Sequence, residues 1–116
     1  MRLLVVEDDP YWQQAIQAIV THRPDYRIVA MCGSLREGLH AVQEEGFDLM
    51  IVDLGLPDGS GIDVIRAARR HHPDAEILVA TVFADEENVV AAIYAGATGY
   101  LVKEATPEQW SAAIDS

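Results

Sequence analysis

Leu49-Met50-Ile51-Val52-Asp53, followed by Leu54-Gly55-Leu56-Pro57-Asp58-Gly59-Ser60-Gly61, is the stretch on which the fold turns. Four apolar residues with no polar alternation read as a strand covered on both faces, as in a parallel sheet between helices. An aspartate closes the run. A loop rich in Pro and Gly then enters a segment of helical period that carries Ile62, Ile65 and Ala68 inward and stops before Pro73. Taken alone, Asp53 is as well explained as a turn residue ahead of Pro57.

The same strand-then-helix unit recurs on either side. Residues 3–6, 27–31, 77–80 and 100–102 are short runs rich in β-branched residues. A helix is expected over 10–22, with Asp9 as N-cap, Pro10 at the first helical position, and Trp12, Ile16, Ile19 and Val20 on one face. A second opens on the capping box Ser34-Leu35-Arg36-Glu37 and stops at Gly46. A fourth runs from about Asp85 to Ala95 and ends at Gly96, and a fifth opens on Thr106-Pro107-Glu108-Gln109. Five such alternations read as an α/β, doubly wound sheet joined by right-handed crossovers.

In an open α/β sheet, ligands bind beyond the carboxyl ends of the strands. Glu7 and Asp8 follow the first strand, Asp53 the third, Thr81 the fourth and Lys103 the fifth. Lys103 is the only lysine in the chain, and its compact ammonium suits one phosphate or carboxylate oxygen. Three carboxylates at one rim repel one another, and a divalent cation relieves the conflict. Oxygen-only donors favour Mg²⁺ or Mn²⁺ over zinc. Beside such a cation Asp53 stays ionised and can attack phosphorus, as aspartyl-phosphate nucleophiles do. The cation, Lys103 and Thr81 would then spread the charge of the moving phosphoryl group.

Composition limits the alternatives. The length of 116 residues suits one domain. A net charge of −11 repels nucleic acid and anionic lipid, so neither is expected to bind this segment directly. One cysteine, Cys32, permits no intrachain disulfide and fits a reducing compartment. No apolar run nears the ~20 residues of a membrane span, and no signal peptide is visible. A cytoplasmic location is the expectation.

Val5-Val6-Glu7-Asp8-Asp9-Pro10, Val52-Asp53-Leu54-Gly55-Leu56-Pro57-Asp58-Gly59-Ser60-Gly61 and Ala95-Gly96-Ala97-Thr98-Gly99-Tyr100-Leu101-Val102-Lys103 resemble the hallmark segments of bacterial two-component response-regulator receiver domains. The resemblance implies a CheY-like, flavodoxin-like (βα)5 domain over residues 1–116, with strand order 2-1-3-4-5. It implies phosphorylation of Asp53 by a sensor histidine kinase or phosphotransfer protein. It implies Mg²⁺ held by Asp8, Asp53 and the Gly55 carbonyl, with Glu7 acting through water. Thr81 and Lys103 would contact the phosphoryl group, and Tyr100 would turn with Thr81 on activation. The wording is most similar to receivers of LuxR/NarL-type regulators. That implies a longer chain whose C-terminal helix-turn-helix domain binds DNA, a homodimer on phosphorylation, and a switching surface on helix four, strand five and helix five. The domain would be a signalling phosphoacceptor, not an enzyme with turnover.

Three positions depart from the family pattern. Val82 stands where a smaller residue is usual and is expected to restrict water and small phosphodonors. Glu104 replaces a frequent proline. Gly55 replaces a larger residue, and Phe83 is expected to supply some of the missing shielding. Gly55 also bears on the rival reading, a Mg-dependent small-molecule phosphohydrolase, which needs a second carboxylate two residues past the nucleophile. A receiver-like module that is never phosphorylated is the third reading, and the complete acidic set with Thr81 and Lys103 argues against it. Trp12 and Trp110 read chiefly as packing residues, while the resemblance places Tyr11 and Trp12 where family members meet their phosphodonor proteins, a secondary reading beside packing. His71 and His72 read as a solvated helix end, and Cys32 as a half-buried strand end.

Overall fold

The computed structural model describes residues 1–82 and 85–115. Phe83, assigned a shielding role above, lies outside the described residues. Five apolar runs form β1 (Arg2–Val6), β2 (Arg27–Cys32), β3 (Leu49–Val52), β4 (Glu76–Thr81) and β5 (Gly99–Val102). They pair in parallel in the order β2-β1-β3-β4-β5. The helices are α1 (Pro10–Thr21), α2 (Leu35–Glu44), α3 (Gly61–His71), α4 (Glu86–Ala95) and α5 (Pro107–Asp115). This is the doubly wound (βα)5 architecture expected from the alternation.

Each helix starts where local chemistry says it should. Asp9 accepts the Tyr11 N–H at 2.9 Å, and Ser34 accepts the Glu37 N–H at 3.1 Å. Thr106 and Gln109 close a reciprocal capping box at 3.2 and 2.8 Å. Asp58, far away in sequence, adds a second cap to α2 by accepting the N–H groups of Leu35 and Arg36 at 2.7 and 3.0 Å. Those bonds, led by the one from Arg36, hold its carboxyl below the usual carboxylate range.

Two cores flank the sheet. Val6, Val42, Met50, Val52, Val64 and Ile65 pack on the side of α2, α3 and α4. Leu3, Val5, Ile16, Ile51, Leu78 and Trp110 pack on the side of α1 and α5. β1 and β3 are covered on both faces, as their unbroken apolar runs foretell. The edge strands β2 and β5 are only half-buried over most of their length, because a neighbour is missing on one flank.

Some boundaries differ from the sequence reading. α2 ends at Glu44, not at Gly46, because Glu45 is already extended (φ −110°, ψ 141°). The loop before α3 contains a short antiparallel ladder between Gly55–Leu56 and Gly59–Ser60, after which Ser60 caps α3. His72 is not a solvated helix end: its ring packs on Phe47 at 4.2 Å and its Nε2 meets the Val42 carbonyl at 2.8 Å. Cys32 is buried rather than half-buried, and burial first, then Glu37 and Glu45, pushes its thiol up to about 11.

Candidate phosphoryl-transfer site

Parallel register brings the strand ends together. Val6 pairs with Val52 and Val52 with Val79, so β1, β3 and β4 end side by side. The ladder continues one residue past each strand. The Glu7 N–H donates to Cys32 O at 2.8 Å, Asp53 N–H to Val6 O at 3.0 Å, and Lys103 N–H to Thr81 O at 3.0 Å. Main-chain bonds therefore aim these residues, and their side chains need little further ordering.

The side chains converge on one buried ammonium. Lys103 Nζ lies 2.7 Å from Asp53 Oδ2 and 2.5 Å from Glu7 Oε1. Glu7, Asp53, Thr81 and Lys103 are 2%, 6%, 0% and 4% exposed, so these charges act at low effective dielectric. Glu7 also accepts the Asp9 N–H at 3.0 Å, and its main-chain carbonyl accepts from Gln13 Nε2 at 2.6 Å. Asp53 Oδ1 accepts the Gly55 N–H at 3.3 Å. Burial raises the Glu7 carboxyl above its usual value, although Lys103 pulls the other way. Burial also opposes the charge on Lys103, but its bonds to Asp53 and Glu7 outweigh that, and its pKa stands above the ordinary lysine value.

Carboxylate oxygens of Glu7, Asp8 and Asp53 lie within 4.8 Å of one another, with Asp8 exposed at the mouth. Three carboxylates face one ammonium, which leaves an excess of negative charge. All the donors are hard oxygens. Both facts fit a divalent cation of the Mg²⁺, Ca²⁺ or Mn²⁺ kind. Gly55 is exposed two residues beyond Asp53. Its ladder partner is Ser60, and the next residue, Gly61, crosses the chain so closely that a Cβ there would stand 2.1 Å from the Asp53 carbonyl oxygen. Only glycine fits at that crossing.

Thr81 ends β4, and Tyr100 sits half-buried in β5 against the core beneath α3 and α4. Burial first, then the negative charges of Asp85 and Asp53, raises the Tyr100 phenol. Val82 is 59% exposed. Two contributors escaped the sequence reading. Gln13 has no signal of its own in the sequence, yet its side-chain amide donates to the Glu7 carbonyl. Trp12 was read as packing, yet its ring lies over Lys103 Nζ, 5.4 Å from the centroid. Both stand within the first turn after Glu7 and Asp8, and that proximity was the available signal.

A CheY-like doubly wound sheet with an acid pocket and a buried lysine at its carboxyl rim defines a receiver. The chain belongs to the response regulator receiver domain family, whose pattern matches residues 3–115. It is 31% identical over 108 residues to a nitrate/nitrite response regulator protein homolog of Haemophilus influenzae, covering 93% of this chain and 52% of that protein. A LuxR-family two-component response regulator from Aurantimonas sp. SI85-9A1 superposes with a TM-score of 0.89 at 30% identity, covering 98% of this chain and 81% of that one. A response regulator from Burkholderia pseudomallei, crystallised with a phosphorylated aspartic acid, calcium ion and citrate, gives 0.87 at 31% identity over 97% and 65%. The chain spans about half the length of the curated relatives it matches. Among the described residues no helix is long and apolar enough to cross a membrane.

Proposed function

We propose that Asp53 is the phosphoacceptor of this receiver and that the divalent cation it works with is Mg²⁺. The observation that carries the proposal is the Lys103 ammonium, buried at 2.7 Å from Asp53 Oδ2 and 2.5 Å from Glu7 Oε1. Asp8, Asp53 and the Gly55 carbonyl would hold the ion, with Glu7 acting through water. The ion supplies charge neutralisation for the incoming phosphoryl oxygens. An Asp53 carboxylate oxygen forms the new O–P bond as the N–P bond of a kinase phosphohistidine breaks, and the imidazole leaves. Lys103 follows the charge from the carboxylate to a phosphoryl oxygen, and the Thr81 hydroxyl donates to another. The phosphorylated aspartate of the Burkholderia pseudomallei relative supports this assignment by likeness.

The partner is a sensor histidine kinase or phosphotransfer protein in the cytoplasm. Movement of Thr81 toward the phosphoryl group, with Tyr100 turning behind it, would change the face formed by α4, β5 and α5. A homodimer or an attached C-terminal helix-turn-helix domain would read that face, so any DNA contact is made outside this segment. The half-length match to NarL-type relatives supports a longer regulator with residues 1–116 as its N-terminal receiver.

Mass spectrometry after treatment with acetyl phosphate and Mg²⁺ tests the assignment. A single phosphoryl adduct is expected, and Asp53→Asn abolishes it. An adduct that survives the substitution refutes it, as would catalytic release of phosphate from phosphomonoesters. Val82→Ala is expected to speed both labelling and decay, read as adduct mass against time; unchanged rates would remove Val82 as a shield.

A further inference from the structure

Lysine ammonium groups carry three donors and wander on a flexible stem. Lys103 has two close carboxylate partners, Glu7 and Asp53. Its Nζ also lies over the Trp12 ring, 5.4 Å from the centroid, inside the range of a cation–π contact. Trp12 is itself held. It stacks on Trp110 of α5 at 6.1 Å and 21°, and Tyr11 meets it edge-on at 5.1 Å. Trp110 is buried in the α1–α5 core beside Ile16 and Ile114.

Beyond this ring lies open space. A groove of about 400 Å³ between α1 and the start of α5 is lined by Tyr11, Trp12, Ile19, Pro107 and Trp110, and it reaches Lys103. Trp12 and Lys103 therefore share one wall of this groove, with the indole against the ammonium. A leucine in place of Trp12 would fill the apolar core but offer no π face, and water could approach the ammonium.

We propose that Trp12 is the positioning residue for Lys103: clamped by Trp110, its ring holds the ammonium against Asp53. The functional half of this inference rests on Lys103 contacting the phosphoryl group; the contact itself does not. Lys103 is free to act on the phosphoryl oxygen only in the orientation the indole allows, so the effect belongs to the transfer step and not to metal binding.

Because Lys103 is the sole lysine, lysine-labelled protein gives one set of side-chain NMR signals. In metal-free wild type its Hε protons should lie upfield of the random-coil position through the indole ring current. Trp12→Leu should return them to that position and speed ammonium hydrogen exchange about tenfold, whereas Trp12→Phe keeps part of both effects. With Mg²⁺ and saturating acetyl phosphate, Trp12→Leu should label Asp53 about three- to tenfold more slowly at an unchanged Mg²⁺ midpoint. Should Trp12→Leu fail to fold, Trp12→Phe and Trp110→Leu read the same resonances. Lys103 signals unmoved in the folded variants overturn the proposal. An unlabelled wild type whose Lys103 signals respond as stated sinks the phosphoacceptor reading of Asp53 and sustains the Trp12–Lys103 contact.

Discussion

Asp8 is the one acid of the site that faces solvent. Its carboxylate adds repulsion to Glu7 and Asp53 and has no structural partner that would be lost with it among the described contacts. Asp8→Asn should therefore raise the melting temperature of the metal-free protein. Saturating Mg²⁺, at about a hundred times its Kd, should add about 2.7 kcal/mol to the wild type. In Asp8→Asn most of that gain should vanish. Thermal melts with EDTA and with Mg²⁺ check both halves; a metal-free midpoint that falls on substitution would show that Asp8 stabilises the fold. Lys103 behaves oppositely. Its pKa is raised by Asp53 and Glu7 against the effect of burial, so its contribution is complete below the ordinary lysine pKa and is lost only as pH climbs through the folded value. Neutral pH therefore leaves this clamp intact.

Among the helices, α4 has the fewest buried residues among those described. Ala92 is its one buried residue among those described, while Val90, Ile93 and Tyr94 face solvent. Its C-terminus is fastened by a side chain from another helix. Arg69 of α3 donates to Pro73 O, Ala75 O and Gly96 O at 2.7, 2.8 and 2.6 Å. Gly96 turns with φ +125°, and a Cβ there would sit 2.9 Å from Arg69 Nε, so glycine serves both the helix stop and the close approach. Arg69→Met keeps the apolar stem and removes the donors. It should cost about 1–3 kcal/mol in urea unfolding. Amide exchange should quicken in α4 more than in α1. Equal quickening in both helices would mean that Arg69 supports the whole domain and is no specific tether of α4. A weakly held α4 with an apolar outer face is the kind of element a small local charge can shift.

At the scale of the molecule the dominant fact is charge: −11 on 116 residues, with three acids already crowded at one rim. Self-repulsion of this size opposes compaction. Raising KCl from about 0.01 to 1 M shortens the screening length from about 30 to 3 Å. Metal-free stability should then rise by about 1 kcal/mol, or about 4 °C in midpoint. Melts in KCl with EDTA decide it; a falling midpoint would mean that ion pairs such as Arg2–Asp48 and Arg23–Asp115 matter more than the net charge. The same acidity fits the proposal that DNA is met only by a separate output domain.

The strands, the helix starts and the strand-end acids were legible in the amino-acid order, because apolar runs, capping residues and turns act over a few residues. Asp9, Ser34 and the Thr106–Gln109 box behave as read, and Glu7, Asp8, Asp53 and Lys103 stand at one rim because parallel strands point one way. What only the tertiary structure decided depends on side chains from distant segments meeting at a few ångströms. Asp58 caps α2 from 22 residues or more away, Arg69 reaches Gly96 across 27, and His72 finds Val42 across 30. The indole of Trp12 came to rest on Lys103 for the same reason. Local periodicity assigns a residue to a face, but the neighbour it meets there is chosen by the packing of the whole chain.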